Sequence, residues 1–63
     1  MKGYGKVVRE MLADAGCAFI RHGKGDHDIW RTKNGKSITV PVKIMSRHTA
    51  NAILKDAGLP KAF

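Results

Sequence analysis

The dipeptide Asn34-Gly35 is the feature that most narrows what this chain can fold into. It separates two short runs with the β-branched and aromatic content of strands, His27–Thr32 and Ser37–Val40. Two-residue hairpin turns of the favoured hand need positive φ at both central positions, and Asn and Gly tolerate this best. The pair therefore predicts a tight antiparallel hairpin. Pro41 lacks a ladder donor and is expected to stop the later strand. Upstream, Gly23-Lys24-Gly25 marks another loop, and Cys17–His22 reads as the strand that enters it.

Two amphipathic segments flank these strands. In Lys6–Ala15, the residues Val8, Met11, Leu12 and Ala15 fall at i, i+3, i+4 and i+7, one stripe of a helix, and Gly16 supplies the positive φ that ends it. Ala50, Ile53, Leu54 and Ala57 repeat that spacing near the other end, with Ser46 or Thr49 as the N-cap and Gly58 and Pro60 as the stop. Residues 11–16 and 53–58 look alike, yet six residues ending at a helix stop are more simply one local solution used twice. The predicted order is helix, three antiparallel strands, helix. The economical answer for so short a chain is an α+β domain of two layers, residues 1–63, with both helices on one face of the three-stranded antiparallel sheet and the other face open.

Stability should be marginal, because 63 residues lie near the lower limit at which a hydrophobic core alone holds a fold. The surface is strongly positive: twelve Lys and Arg against five Asp and Glu give a formal charge of +7. Such a field calls for a polyanionic partner, nucleic acid or an acidic protein. A membrane surface fits less well, since no segment joins a basic face to a large apolar one, and no apolar run approaches the ~20 residues needed to span a bilayer. Cys17 is the only cysteine and has no internal disulfide partner. With no signal-like apolar core after Met1-Lys2, a cytoplasmic location is expected.

His27 is the foremost candidate for chemistry. It follows the glycine-flanked loop and opens a strand, where phosphate could approach the backbone closely and Lys24 could add a point charge. RNA cleavage by the substrate's own 2′-hydroxyl needs only a proton acceptor, a proton donor and cations, and a histidine suits either proton role at neutral pH. The plainer reading is an exposed strand histidine with no role. Asp26 and Asp28 flank His27, but in a regular strand they point to the opposite face, so neither is assigned as its partner. His22, His27, His48 and Cys17 match no zinc spacing, and no metal or other cofactor is expected. Trp30 reads as core before it reads as a platform for a base. The basic residues Arg21, Lys24, Arg31 and Lys43 are the candidate RNA contacts, although each alone is a solvated charge by default.

Four segments, taken together and in order, resemble the HicA family: residues 16–21 (Gly-Cys-Ala-Phe-Ile-Arg), 23–30 (Gly-Lys-Gly-Asp-His-Asp-Ile-Trp), 39–41 (Thr-Val-Pro) and 53–59 (Ile-Leu-Lys-Asp-Ala-Gly-Leu). That resemblance implies a fold like the double-stranded-RNA-binding domain. It also implies a toxin of a type II toxin-antitoxin system, a ribosome-independent mRNA endoribonuclease with His27 essential, held inactive by a HicB-type antitoxin. Three positions depart from the family's usual pattern. Asp26 stands where many members have Ser, Lys43 where many have His, and His48 where many have Gly. A carboxylate beside a phosphate-handling histidine could repel RNA or help charge the imidazole. The alternative is a non-catalytic RNA-binding module of the same fold, and a more distant one is a surface meant only for an acidic protein.

Overall fold

The computed structural model describes residues 3–63. Helix α1 (Gly5–Asp14), strands β1 (Ala18–His22), β2 (His27–Arg31) and β3 (Ser37–Pro41), and helix α2 (Arg47–Asp56) follow in the expected order. The strands form one antiparallel sheet ordered β1-β2-β3, so β2 is central and its neighbours are edges.

Strand alternation decides which residues meet the helices. Asp28 and Trp30 of β2, with Ile38 and Val40 of β3, are buried, whereas His27, Arg31, Ser37 and Thr39 are exposed. Val8 and Leu12 of α1 and Ala50, Ile53 and Leu54 of α2 cover the buried side, joined by Cys17 and Ile44. Both helices therefore lie on one face, giving the α+β architecture expected from the pattern. Leu12 and Leu54 are fully buried, each worth roughly 1.5–3 kcal/mol of apolar transfer. Strand β1 does not alternate. All five of its residues are exposed, and a bulge between Phe19 and Arg21 leaves Ile20 without a partner on β2.

The similarity between residues 11–16 and 53–58 has a local cause. Gly16 has φ +87° and Gly58 φ +79°. After α1, Gly16 N donates to Ala13 O (3.1 Å) and Cys17 N to Leu12 O (2.9 Å); after α2, Gly58 N donates to Lys55 O (2.9 Å) and Leu59 N to Leu54 O (2.8 Å). Both helices thus end in the same Schellman closure, with an apolar residue just past the glycine joining the core. Ser46 caps α2, its Oγ accepting from His48 N at 3.1 Å. Thr49, the other candidate cap, lies inside the helix.

The hairpin forms, but with a longer loop than the two-residue turn expected. Thr32 N donates to Lys36 O (2.7 Å) and Gly35 N to Thr32 O (2.9 Å). Gly35 has φ +87°, while no non-glycine residue described has positive φ. Lys33-Asn34-Gly35 is therefore a three-residue loop in which glycine alone adopts the left-handed conformation and Asn34 is spared it. The Thr32 hydroxyl accepts Lys36 N at 3.0 Å and closes the loop. Pro41 is the last residue of β3 rather than the residue after it. It pairs with His27 on an edge strand, where a missing N–H on the outer side costs no ladder bond.

Beyond α2 the tail folds back. The Asn51 amide accepts from Ala62 N (3.2 Å) and Phe63 N (3.1 Å) and donates to Phe63 O (3.1 Å), and the Phe63 ring meets Tyr4 edge-on at 4.9 Å.

Candidate functional site

The β1–β2 hairpin carries the candidate site. His22 closes β1 and pairs with Asp28, while Gly23 N donates to His27 O at 2.6 Å. Residues 24–26 form the tip. Gly23 is crowded: a Cβ there would stand 3.0 Å from His27 O and 3.2 Å from Ile29 Cδ1. Gly25 has φ +67°, a left-handed conformation that side chains resist, and a Cβ there would meet nothing within 4 Å. The tip is thus bare on that side. Asp26 O accepts Val42 N at 2.7 Å, which ties the tip to the chain leaving β3.

His27 stands on the open face of the sheet and is exposed. Its Nδ1 lies 3.4 Å from Lys24 O, a long contact that holds the ring loosely. Sheet register places Arg21 beside Ile29 and Arg31 beside Ala18, so both arginines share the uncovered face with His27. Lys24 is exposed at the tip. Lys43 lies elsewhere, on the wall of a cleft of about 470 Å³ that it shares with Lys6, Arg9, Val42, Ile44 and Met45. Four of the five candidate residues therefore gather at one hairpin and its open face, and Lys43 sits past the end of β3.

Trp30 is core, 7% exposed, with its ring 6.1 Å from Phe19. Cys17 is buried as well. Asp28 turns away from His27, as alternation requires, and is the buried charged residue among those described, at 7% exposure. Its Oδ1 lies 2.8 Å from Nδ1 of His22, and its Oδ2 lies 3.8 Å from Nη2 of Arg9 on α1. An ionised carboxylate only accepts, so the contact gives the donor role to Nδ1 of His22, whose side chain is otherwise 84% accessible. Arg9 also donates from Nη2 to Pro41 O (3.0 Å) and Val42 O (3.1 Å), pinning α1 to the end of β3.

This His22–Asp28–Arg9 cluster was not anticipated from sequence. The signal was present, since Asp28 and Trp30 share a strand face and a carboxylate on a core face needs a partner. His22 and Asp28 also stand on either side of the glycine loop, where a hairpin brings them opposite each other. Among the described residues no group of three or more His, Cys, Asp or Glu side chains converges as a metal site. No helix among them is long and apolar enough to cross a membrane.

Comparison with protein families supplies the remaining fact. The model for the HicA toxin of bacterial toxin-antitoxin systems matches residues 5–59, from the first residue of α1 through the Leu59 that closes α2. The chain belongs to the HicA toxin family. It is therefore the toxin of a toxin-antitoxin pair, and an antitoxin is its implied partner. All five elements and the whole candidate hairpin fall inside the matched span. Searches of curated proteins and of solved structures found no match.

Proposed function

We propose that this HicA toxin is an RNA endonuclease, cutting mRNA in the cytoplasm without the ribosome, with His27 as a proton-transfer residue. The observation that carries the reading is the uncovered sheet face on which His27, Arg21 and Arg31 stand together in a chain of charge +7. The arginines would steady phosphates along the face, and Lys24 would reach a phosphate over the bare glycine tip. Lys43 extends the positive surface around the end of β3. The nucleophile is the substrate's own 2′-hydroxyl, so the protein has only to move protons and offset charge. One well-placed acid or base contributes roughly 10²- to 10⁴-fold. That is a slow enzyme, but one cut inactivates a message. A HicB-type antitoxin, acidic to match the charge, would silence it.

Induced expression in cells tests this. Wild type should arrest growth and fragment transcripts, co-expressed antitoxin should relieve both effects, and His27→Ala should be harmless while still binding RNA. Fragmentation equal for wild type and His27→Ala would remove His27 from the chemistry. Binding by wild type with no fragmentation would favour the non-catalytic module, with Asp26 beside His27 as the departure responsible.

A further inference from the structure

We propose that His22, oriented by Asp28, is the general base of the cleavage reaction, and that His27 on the other side of the same hairpin is the general acid; this rests on the RNA-cleavage reading above. The Asp28 carboxylate is 10% accessible, and among the described residues its hydrogen bond comes from Nδ1 of His22 at 2.8 Å. Arg9 is at 3.8 Å, beyond hydrogen-bond distance, and is already engaged by two backbone carbonyls. The His22 side chain is 84% accessible, so this bond buries no imidazole. What it does is fix one tautomer and one orientation, with the Nε2 lone pair facing solvent. A base held by a buried carboxylate is the arrangement that proton abstraction requires. The Phe19 ring, 5.3 Å away, limits the imidazole further on one side.

The two histidines also stand in a useful relation. Neighbouring residues on β2 point to opposite faces, so His27 and Asp28 diverge, and His22 lies on the Asp28 side because it is bonded there. The imidazoles therefore flank the tip, residues 24–26, from opposite faces. In-line displacement at phosphorus also places its attacking and leaving oxygens on opposite sides. A phosphodiester seated on the bare tip would have one imidazole towards each. Nε2 of His22 takes the 2′-hydroxyl proton as the 2′-oxygen bonds to phosphorus. The bond from phosphorus to the 5′-oxygen breaks, and that oxygen keeps the electron pair and receives a proton from His27. The products are a 2′,3′-cyclic phosphate and a 5′-hydroxyl, and proton exchange with water resets both imidazoles.

The test uses the full chain and two oligoribonucleotides, one normal and one with sulfur replacing the bridging 5′-oxygen at the cut site. A thiolate leaves without a proton, so the sulfur substrate needs no acid. His22→Gln should lower cleavage of both substrates by about 10²-fold or more. His27→Ala should be as slow on the normal substrate but recover on the sulfur one. Asp28→Asn should lie between wild type and His22→Gln, with RNA affinity within about twofold of wild type throughout. The His22→Gln side chain keeps an amide donor for the buried Asp28 carboxylate, and circular dichroism with urea unfolding checks that each variant is folded before its rate is read. Wild-type cleavage unaffected by His22→Gln overturns this assignment alone. Recovery of His22→Gln on the sulfur substrate would make His22 the acid and overturn the assigned roles. No cleavage by wild type overturns the RNA-cleavage reading itself, and this inference with it.

Discussion

Replacing Trp30 with Phe sets two sizeable effects against each other. Trp30 is 7% exposed, and its Nε1 is buried without a hydrogen-bond partner among the described residues. An unpaired buried N–H costs about 1–3 kcal/mol. Phe removes that group but also removes part of the ring, which we take as roughly two methylene equivalents at ~0.8 kcal/mol each. The terms nearly cancel, so Trp30→Phe should fall within about 1 kcal/mol of wild type. Trp30→Ala loses the whole ring and should cost about 3–5 kcal/mol, comparable with the ~3–5 kcal/mol that a core this small supplies. Urea unfolding followed by far-ultraviolet circular dichroism reads both without relying on the lost fluorophore. A loss above about 2 kcal/mol for Trp30→Phe would mean instead that Nε1 is satisfied in the folded protein. RNA affinity should be unchanged in Trp30→Phe, as expected of a core residue.

Asp26→Ser removes an exposed carboxylate next to His27 and should strengthen RNA binding, measured by fluorescence anisotropy; weaker binding would show that Asp26 assists rather than repels. Single-strand RNA affinity should fall with salt at about −0.7 per phosphate neutralised, and Arg21→Ala or Arg31→Ala should each flatten the slope by about that amount. A slope untouched by both variants would take RNA off the open sheet face. Asn51→Ala breaks three bonds to the tail and should cost about 1–2 kcal/mol at roughly 0.5–1.5 per bond with partial rehydration, with faster amide exchange at Ala62 and Phe63; unchanged exchange would show the tail is held elsewhere.

The fold was legible where period and punctuation agreed. Val8 and Leu12, and Ala50, Ile53 and Leu54, are buried as their helical spacing demands. Glycine stops fell where Gly16 and Gly58 adopt positive φ. The Asn34-Gly35 loop was located correctly but given the wrong length, because the pairing of Thr32 with Lys36 is a cross-strand contact that the dipeptide alone does not encode. His27 is expected at the start of a strand and opens β2, and its exposure follows from alternation. The His22–Asp28 bond was less visible. Reading Asp28 only against its neighbour His27 hid a partner six residues back, which register brings opposite. Lys43 joins the candidate RNA contacts on charge alone, and charge does not encode the cleft that Lys43 lines past Pro41.

Single-turnover cleavage of an end-labelled oligoribonucleotide by purified wild type and His27→Ala decides whether His27 moves a proton during RNA cleavage, with a copy carrying 2′-deoxyribose at the cut position as control. Wild type should cut the RNA to a 2′,3′-cyclic phosphate and a 5′-hydroxyl, bind the deoxy-substituted copy without cutting it, and lose at least about 10²-fold in rate on His27→Ala. Cleavage of the deoxy-substituted copy would rule out the 2′-hydroxyl as nucleophile, and equal rates for the two proteins would rule out His27 as the proton-transfer residue.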